Sequence, residues 1–582
     1  MPAFNFVCLG CGRGHGDWND VTAPVLEGTL LERCNAIWEA TVAQEKRETL
    51  CRLEPPLVRL WDGEWHWQGE VAAEYMGNFE WKDNDTGSGV IEIPFDHYTA
   101  RWIWDEKGRM ARGEKRNVHI TVDKNGARWS GRLEDVTVDN REDGSVVLVA
   151  RFLHDYENLK WYQIWSNAFL PAAVQFPRVF MLAGGARWAL LTSLFLQVMR
   201  EQTSAWHLPD DPLQKATWGS GGLDMSNWSV AVQPHSFMDD LNEGILWGLV
   251  ISRWQTWHDV AKPILEDAEL SVVPRRYLEG DPPPWPGANL RHGCLVIDIV
   301  DKSGYYTGTA NGGNQWDGLQ RTIANFTSDF IDSTESLISD TNMPSEYSQP
   351  DFKSTNKIAP YVSYLMGDET GIQTSKFTRI PAKGIQVNCG GHSMPGVNEL
   401  ISATVQMVGD LTAMIPGVPP MGGVADAVLK PIYTDTLLAW MSVKSNQRAV
   451  NSGWSRYFEY FQDGADKAYT LSSLMVLRQG FWATRSRFAH EVAILDGSPW
   501  LIGDRGQGHL WLSDRMSAQI TGDWTGDLYV DRVRSIVLAW DENSPAEWVP
   551  VIGDNSVLKD PAQRAMEQLE KAMTGLSMLG VF

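Results

Sequence analysis

The chain has 582 residues, room for about three or four domains of roughly 100 to 200 residues with substantial cores. Its 50 Lys and Arg against 73 Asp and Glu leave a formal charge of -23. That balance argues against a protein whose task is to grip phosphate backbones, although an acidic channel would let nucleic acid pass without sticking. The N-terminus MPAFNFVCLG has no basic stretch followed by a long apolar one, so no secretory signal is expected and synthesis in a cytoplasm is. The longest apolar runs, Trp188 to Met199 and Leu411 to Ala425, fall short of the roughly 20 residues of a spanning helix.

Residues 1–56 are Gly-rich and Cys-bearing and read as an N-terminal extension with a short amphipathic helix around Glu27 to Arg47. Residues 57–165 read as a first β-domain. Its opening, LVRLWDGEWHWQGEV, places Asp62-Gly63 between apolar runs, the composition of a type I′ hairpin turn. Pairing outward from that turn puts Leu60 opposite Trp65 and Val58 opposite Trp67 on one face, with Arg59, Trp61, Glu64 and His66 on the other. A polar turn at Asn84 to Gly89 then separates Phe79 and Trp81 from Ile91 and Ile93, and Lys124-Asn125-Gly126 makes a further hairpin turn. The 28 tryptophans outnumber Phe and Tyr. They read either as sugar-stacking platforms or as apolar filling, and the second is expected for Trp65, Trp67 and Trp81 on core faces.

Residues 166–290 read as α+β, with an apolar helix at Val179 to Arg200, a strand in ILWGLVISR and a helix near Trp257 to Asp267. Pro282, Pro283, Pro284 and Pro286 make a stiff, donor-poor connector, expected to mark a subdomain boundary. Residues 291–395 read as α+β, with a strand in GCLVIDIVD and helical spacing of Leu319, Ile323, Phe326, Phe330 and Leu337. Residues 396–447 read as a helical hairpin around the uncharged LTAMIPGVPPMGG, and 448–550 as a second β-domain with turns at Asp496-Gly497, Asp504 to Gly508 and Asp541 to Ser544. Residues 551–582 carry a C-terminal amphipathic helix with Met566, Leu569, Met573 and Leu576 on one side.

RLWDGEWHWQGEV, FEWKDNDTGSGVIEIP, GCLVIDIVDKSGYYTGTANGG and GGHSMPGVNELISA, in that order, resemble the minor tail proteins of actinobacteriophages that form the tail-tip, or baseplate, hub of long non-contractile siphovirus tails. The resemblance covers about Leu57 to Asp541 and rests on the order of several moderate motifs. It implies a mainly β, α+β chain with two hub-type β-barrel domains, an intervening α+β domain and a helical hairpin insert. It further implies a homotrimer whose six barrels match a sixfold tail tube, with the distal tail ring, the tape-measure protein and other minor tail proteins as partners. Such a hub closes the lumen and opens at the host cell for genome ejection, and DNA meets it only in passing. The competing expectation is a cell-envelope glycan-binding protein or hydrolase of the tail tip.

Cys8, Cys11, Cys34 and Cys51, with His15 nearby, could supply a tetrahedral zinc site, but only Cys8 and Cys11 have close spacing. A disulfide and free thiols stand as alternatives, and no other cofactor is indicated. At the tip of the helical hairpin, Met414, Ile415, Val418 and Met421 would be exposed on a monomer. Three such tips could plug the tube or enter a host membrane; burial between neighbouring subunits is the plainer alternative. No HExxH, GxSxG, Walker A or dinucleotide fingerprint is present, and pairs such as Glu134-Asp135 or Asp239-Asp240 do not single out a catalytic dyad. No catalytic residue is expected.

Overall fold

The structure is a computed structural model that describes residues 28–203 apart from 143 and 178, then 225–303, 353, 362–365, 371–391, 439–462 and, with short gaps, 476–553. The expected helices at 319–337 and 559–578 and residues 396–438 of the expected helical hairpin lie outside the described residues, whereas Trp440–Lys444 at the end of that segment form a strand. The chain divides into two compact units. One comprises residues 1–306, 321–377 and 490–553, and the other 307–320, 378–489 and 554–582.

The first unit is mainly β. After helix α1 (Leu30–Leu53) come strands β1 (Leu57–Asp62), β2 (Trp67–Val71), β3 (Met76–Lys82) and β4 (Ser88–Pro94), then short helices α2 (Tyr98–Trp104) and α3 (Glu106–Ala111). Strands β5 (Val118–Lys124), β6 (Ala127–Asn140) and β7 (Val146–His154) follow. A mixed layer comes next: β8 (Phe180–Gly185), α4 (Ala186–Thr203), β9 (Val230–Val232), α5 (Phe237–Glu243), β10 (Trp247–Ser252), α6 (Trp257–Asp267), β11 (Leu270–Arg276) and β12 (Leu295–Asp301). Later strands are β13 (Ser363–Tyr364), β14 (Ile372–Ile380), β15 (Gln386–Gly390), β16 (Trp440–Lys444), β17 (Glu459–Phe461), β18 (Arg487–Ile494), β19 (Arg515–Gln519), β20 (Leu528–Asp541) and β21 (Glu547–Gly553), with helix α7 (Asn446–Asn451) after β16.

The two β segments expected as separate barrels are joined in one 13-stranded sheet. Its order is β14-β18-β21-β20-β3-β4-β7-β6-β5-β1-β2, with β13 and β19 added beside β20. The seam is the antiparallel pair β3/β20, where Ile536 lies opposite Trp81 and Leu538 opposite Phe79. Phe79, Trp81, Ile91 and Ile93 are buried in a core that also takes Val492, Val533, Ile536 and Leu538 from the C-terminal strands. Period-two alternation thus supplies one continuous buried face from segments far apart in sequence.

Three local expectations need correction. The β1/β2 hairpin forms, but Val58 pairs with Val71 and Trp61 with Trp67. The reason is the Asp62 carboxylate, which accepts from the backbone N–H groups of Glu64 and His66 at 2.9 Å each and holds a longer loop with Trp65 at φ +65°. Trp67 consequently faces solvent, whereas Trp65 is buried. The apolar run from Val179 begins as strand β8 and turns helical only at Ala186. The proline-rich connector links two antiparallel strands of one sheet, β11 and β12, with Val273 opposite Asp298, so no boundary falls there. By contrast Asn125 and Gly126, at φ +49° and +74°, form the expected two-residue turn between Lys124 and Ala127.

Candidate functional site

Of the expected zinc ligands, Cys8 and Cys11 lie outside the described residues. Cys34 is exposed and Cys51 buried, both on α1. Seventeen residues of helix separate them by about 25 Å along the axis, so their thiolates cannot share one zinc ion. Among the described residues no three His, Cys, Asp or Glu side chains gather as a metal site. Met414, Ile415, Val418 and Met421 also lie outside the described residues.

The acidic pairs weighed as dyads have structural partners. Asp239 caps α5 with Ser236, and Asp240 accepts from Arg187 Nε at 2.7 Å and Trp188 N at 2.7 Å. Asp135 meets Arg151 on the surface.

The turn Asp83-Asn84-Asp85 binds elements that lie far away in the sequence. Asp83 accepts hydrogen bonds from Arg532 (3.0 Å), Arg534 (2.7 Å), Ser513 (2.6 Å) and Ser271 (2.9 Å). Burial works against its ionisation, but the two guanidiniums and the two hydroxyls outweigh it and hold the carboxyl below its ordinary range. Asn84 donates to the Leu270 carbonyl and accepts from Val272 N, as an extra strand residue would. Asp85 binds Lys262 and Lys160. One three-residue turn therefore ties β3 to β20, to β11 and to α6. Only the run of three Asx residues hinted at it; their partners are about 190 and 450 positions away.

A second node joins the same layers. Asp155 accepts from Arg276 through both oxygens (2.7 and 2.8 Å) and from Ser130 (2.6 Å). Burial opposes its charge, yet Arg276 prevails and the carboxyl sits at about 2. Above it the Arg276 guanidinium lies 4.5 Å from the Trp65 ring, which stacks on His119 at 4.7 Å. Burial pushes His119 down to about 3 and neighbouring His154 down to about 4, so both rings are neutral at pH 7. A third node places Asp123 between Arg59 and Arg128, and Arg128 also binds Asp281 at the head of the proline-rich loop.

These nodes make a rigid frame; the surfaces offer the means of association. On α1 the residues Leu30, Leu31, Ile37, Trp38 and Val42 are all exposed, Trp38 to 69%. On the antiparallel β8/β10 pair one face packs against α4 and α6, while the other leaves Met181, Trp247 and Ile251 exposed. In the second unit β16-β15-β17 form a small sheet whose Trp440 and Phe461 are exposed and meet edge to face at 5.8 Å, and Trp454 and Tyr457 are exposed nearby in the chain.

Buried ion pairs thus hold the described frame together, and exposed apolar residues lie on α1, on β8/β10 and on the small sheet. In comparison with known proteins, residues 57–554 match the model of the Siphovirus ReqiPepy6 Gp37-like protein family. The chain is 33% identical over 599 aligned residues to the minor tail protein Gp28 of Mycobacterium phage L5, covering 95% of this chain and 99% of that protein. The chain belongs to this family of siphovirus tail proteins. Among solved structures it is similar to prophage tail protein gp18 from Listeria monocytogenes (TM-score 0.39, 9% identity, 89% of this chain and 99% of that one). A tail protein from Neisseria meningitidis gives a TM-score of 0.38 at 10% identity, covering 86% of this chain and 98% of that one.

Proposed function

We propose that the chain is a structural minor tail protein of the virion and forms the hub of the tail tip. Three copies adapt the sixfold tail tube to a threefold tip, close the lumen, and open at the host cell so that tape measure and DNA leave. The observation that carries this reading is the near full-length relationship to a mycobacteriophage minor tail protein. It is supported by the sheet, in which an N-terminal array (β1–β7) and a C-terminal array (β18–β21 with β13 and β14) meet at β3/β20. Two such arrays in each of three subunits supply six tube-facing elements, the number that the paired-barrel arrangement requires. The distal tail ring, the tape-measure protein and other minor tail proteins are the expected neighbours, and the apolar tip around Met414 to Met421 is the candidate lumen plug or membrane contact. Labelling the C-terminus and imaging virions tests the placement. Three labels at the tail tip are expected; labels along the tube, or none, overturn it.

The aromatic face of the second unit favours a second reading, a cell-envelope glycan-binding protein or hydrolase of the tip, because Trp and Tyr rings stack on sugars. Titrating the full chain with solubilised host-envelope polysaccharide and following tryptophan fluorescence decides it. Saturable binding lost in Trp440→Ala and Trp454→Ala variants supports that reading, release of reducing ends selects the hydrolase, and a flat titration removes both.

A further inference from the structure

The small sheet of the second unit has two unlike faces, and its register assigns each residue to one of them. Lys444, Gln386 and Glu459 stand side by side across β16-β15-β17, Ser442, Asn388 and Phe461 make the next row, and Trp440 lies opposite Gly390 in the last. The alternate residues Val387, Cys389 and Met441 are buried in a core with Leu477 and Phe481. The first set therefore forms the outer face, where Trp440, Ser442, Lys444, Glu459 and Phe461 are all exposed.

This outer face is aromatic at one end and polar at the other. Gly390, at φ +123° and with no room for a Cβ beside the Ala439 carbonyl, leaves the central strand bare at the aromatic end. Trp440 and Phe461 stand on the two flanking strands, about 10 Å apart by strand spacing. Their rings meet above the central strand, edge to face at 5.8 Å. Towards the polar end Gln386 Nε2 donates to Glu459 Oε1 at 2.9 Å and to Asn388 Oδ1 at 3.3 Å. Two amides and a carboxylate are thereby grouped next to the rings, and Lys444 flanks them on β16.

That mixture selects among occupants. Entry into a lipid surface would strip water from Lys444, Glu459 and both amides. The centre of a protein interface is depleted in Lys, Glu and Ser, which stand here beside the rings. Nucleic acid would meet Glu459 on a chain of net charge -23. A pyranose chain offers C–H faces that stack on indole and hydroxyls that both donate and accept. The carboxylate accepts from such a hydroxyl, the ammonium donates to one, and each amide does both. Because Glu459 and Lys444 offset one another, the face favours a neutral sugar over a charged one. Its area agrees: five residues by three strands measure about 13 by 10 Å, far below the roughly 800 Å² per partner of a stable protein interface.

We infer that the outer face of β16-β15-β17 is a binding site for a neutral glycan chain, with Trp440 as the stacking platform and Gln386, Asn388 and Glu459 as hydrogen-bonding partners. The inference rests on the glycan-binding reading above and gives it a site and a sugar class.

Isothermal titration calorimetry of the full chain with host-envelope polysaccharide, separated by anion exchange into neutral and anionic fractions, tests it. Saturable heat is expected with the neutral fraction. Trp440→Ala should abolish it, and Gln386→Ala or Glu459→Gln should weaken binding about tenfold, the equivalent of one hydrogen bond. Glu459→Gln keeps the side-chain shape and the bond from Gln386, so it reads the carboxylate alone. Binding that survives these substitutions but is lost in Trp454→Ala overturns the inference while the glycan reading stands. Binding of the anionic fraction alone also overturns it, and the absence of heat with either fraction removes the glycan reading as well.

Discussion

At the residue scale, the buried polar groups described above hold the frame together. Asp83 shows how: the buried Arg532 and the half-buried Arg534 both donate to it, so Asp83→Ala removes the carboxylate they share and should cost about 3–5 kcal/mol in chemical denaturation. A loss below about 1 kcal/mol would mean that the node is dispensable. Buried histidines set the pH response. Burial lowers His154, His490 and His509 to about 4 and His119 to about 3, from 6.5 in the unfolded chain. Below pH 6.5 the unfolded chain therefore takes up protons that the folded chain refuses, and stability falls as pH falls towards about 4, by up to about 3 kcal/mol for each ring. Asp155, held at about 2, stays ionised throughout that window. Melting temperature measured from pH 7.5 to 4.5 should decline steadily below 6.5, and His154→Phe should flatten part of the decline; a level profile would contradict the assignment. None of these nodes was legible in the sequence, because a buried charge is recognised by its partner and Asp83 has its partners some 450 residues away.

Among the elements, short-range rules worked wherever the chain's own neighbours decide. The Asn125-Gly126 turn and the buried period-two residues Phe79, Trp81, Ile91 and Ile93 could be read directly. The first hairpin could not, because one Asp62 side chain satisfied two loop donors and moved the register, turning Trp67 outward. Nor could the proline-rich loop, whose stiffness suits a strand connection as well as a boundary. The joining of β3 to β20 was also hidden, since alternation identifies a strand but not its partner. That seam makes a prediction. A fragment ending at residue 303 leaves the β3 edge unpaired beside open core, so it should aggregate, and co-expression with residues 353–553 should restore soluble protein. A soluble, cooperatively melting fragment would show that the N-terminal array does not need the seam.

For the whole molecule, the charge of -23 argues against a protein that grips phosphate backbones. As a consequence the purified chain should show no retention of duplex DNA at 0.15 M salt in a gel-shift assay, and retention would argue against an acidic lumen. The proposed hub is a closed assembly of three copies of this chain. Multi-angle light scattering of the purified full chain tests it most directly. The account predicts a mass three times the 65.2 kDa of one chain; a stable species of one chain's mass at every concentration would contradict it.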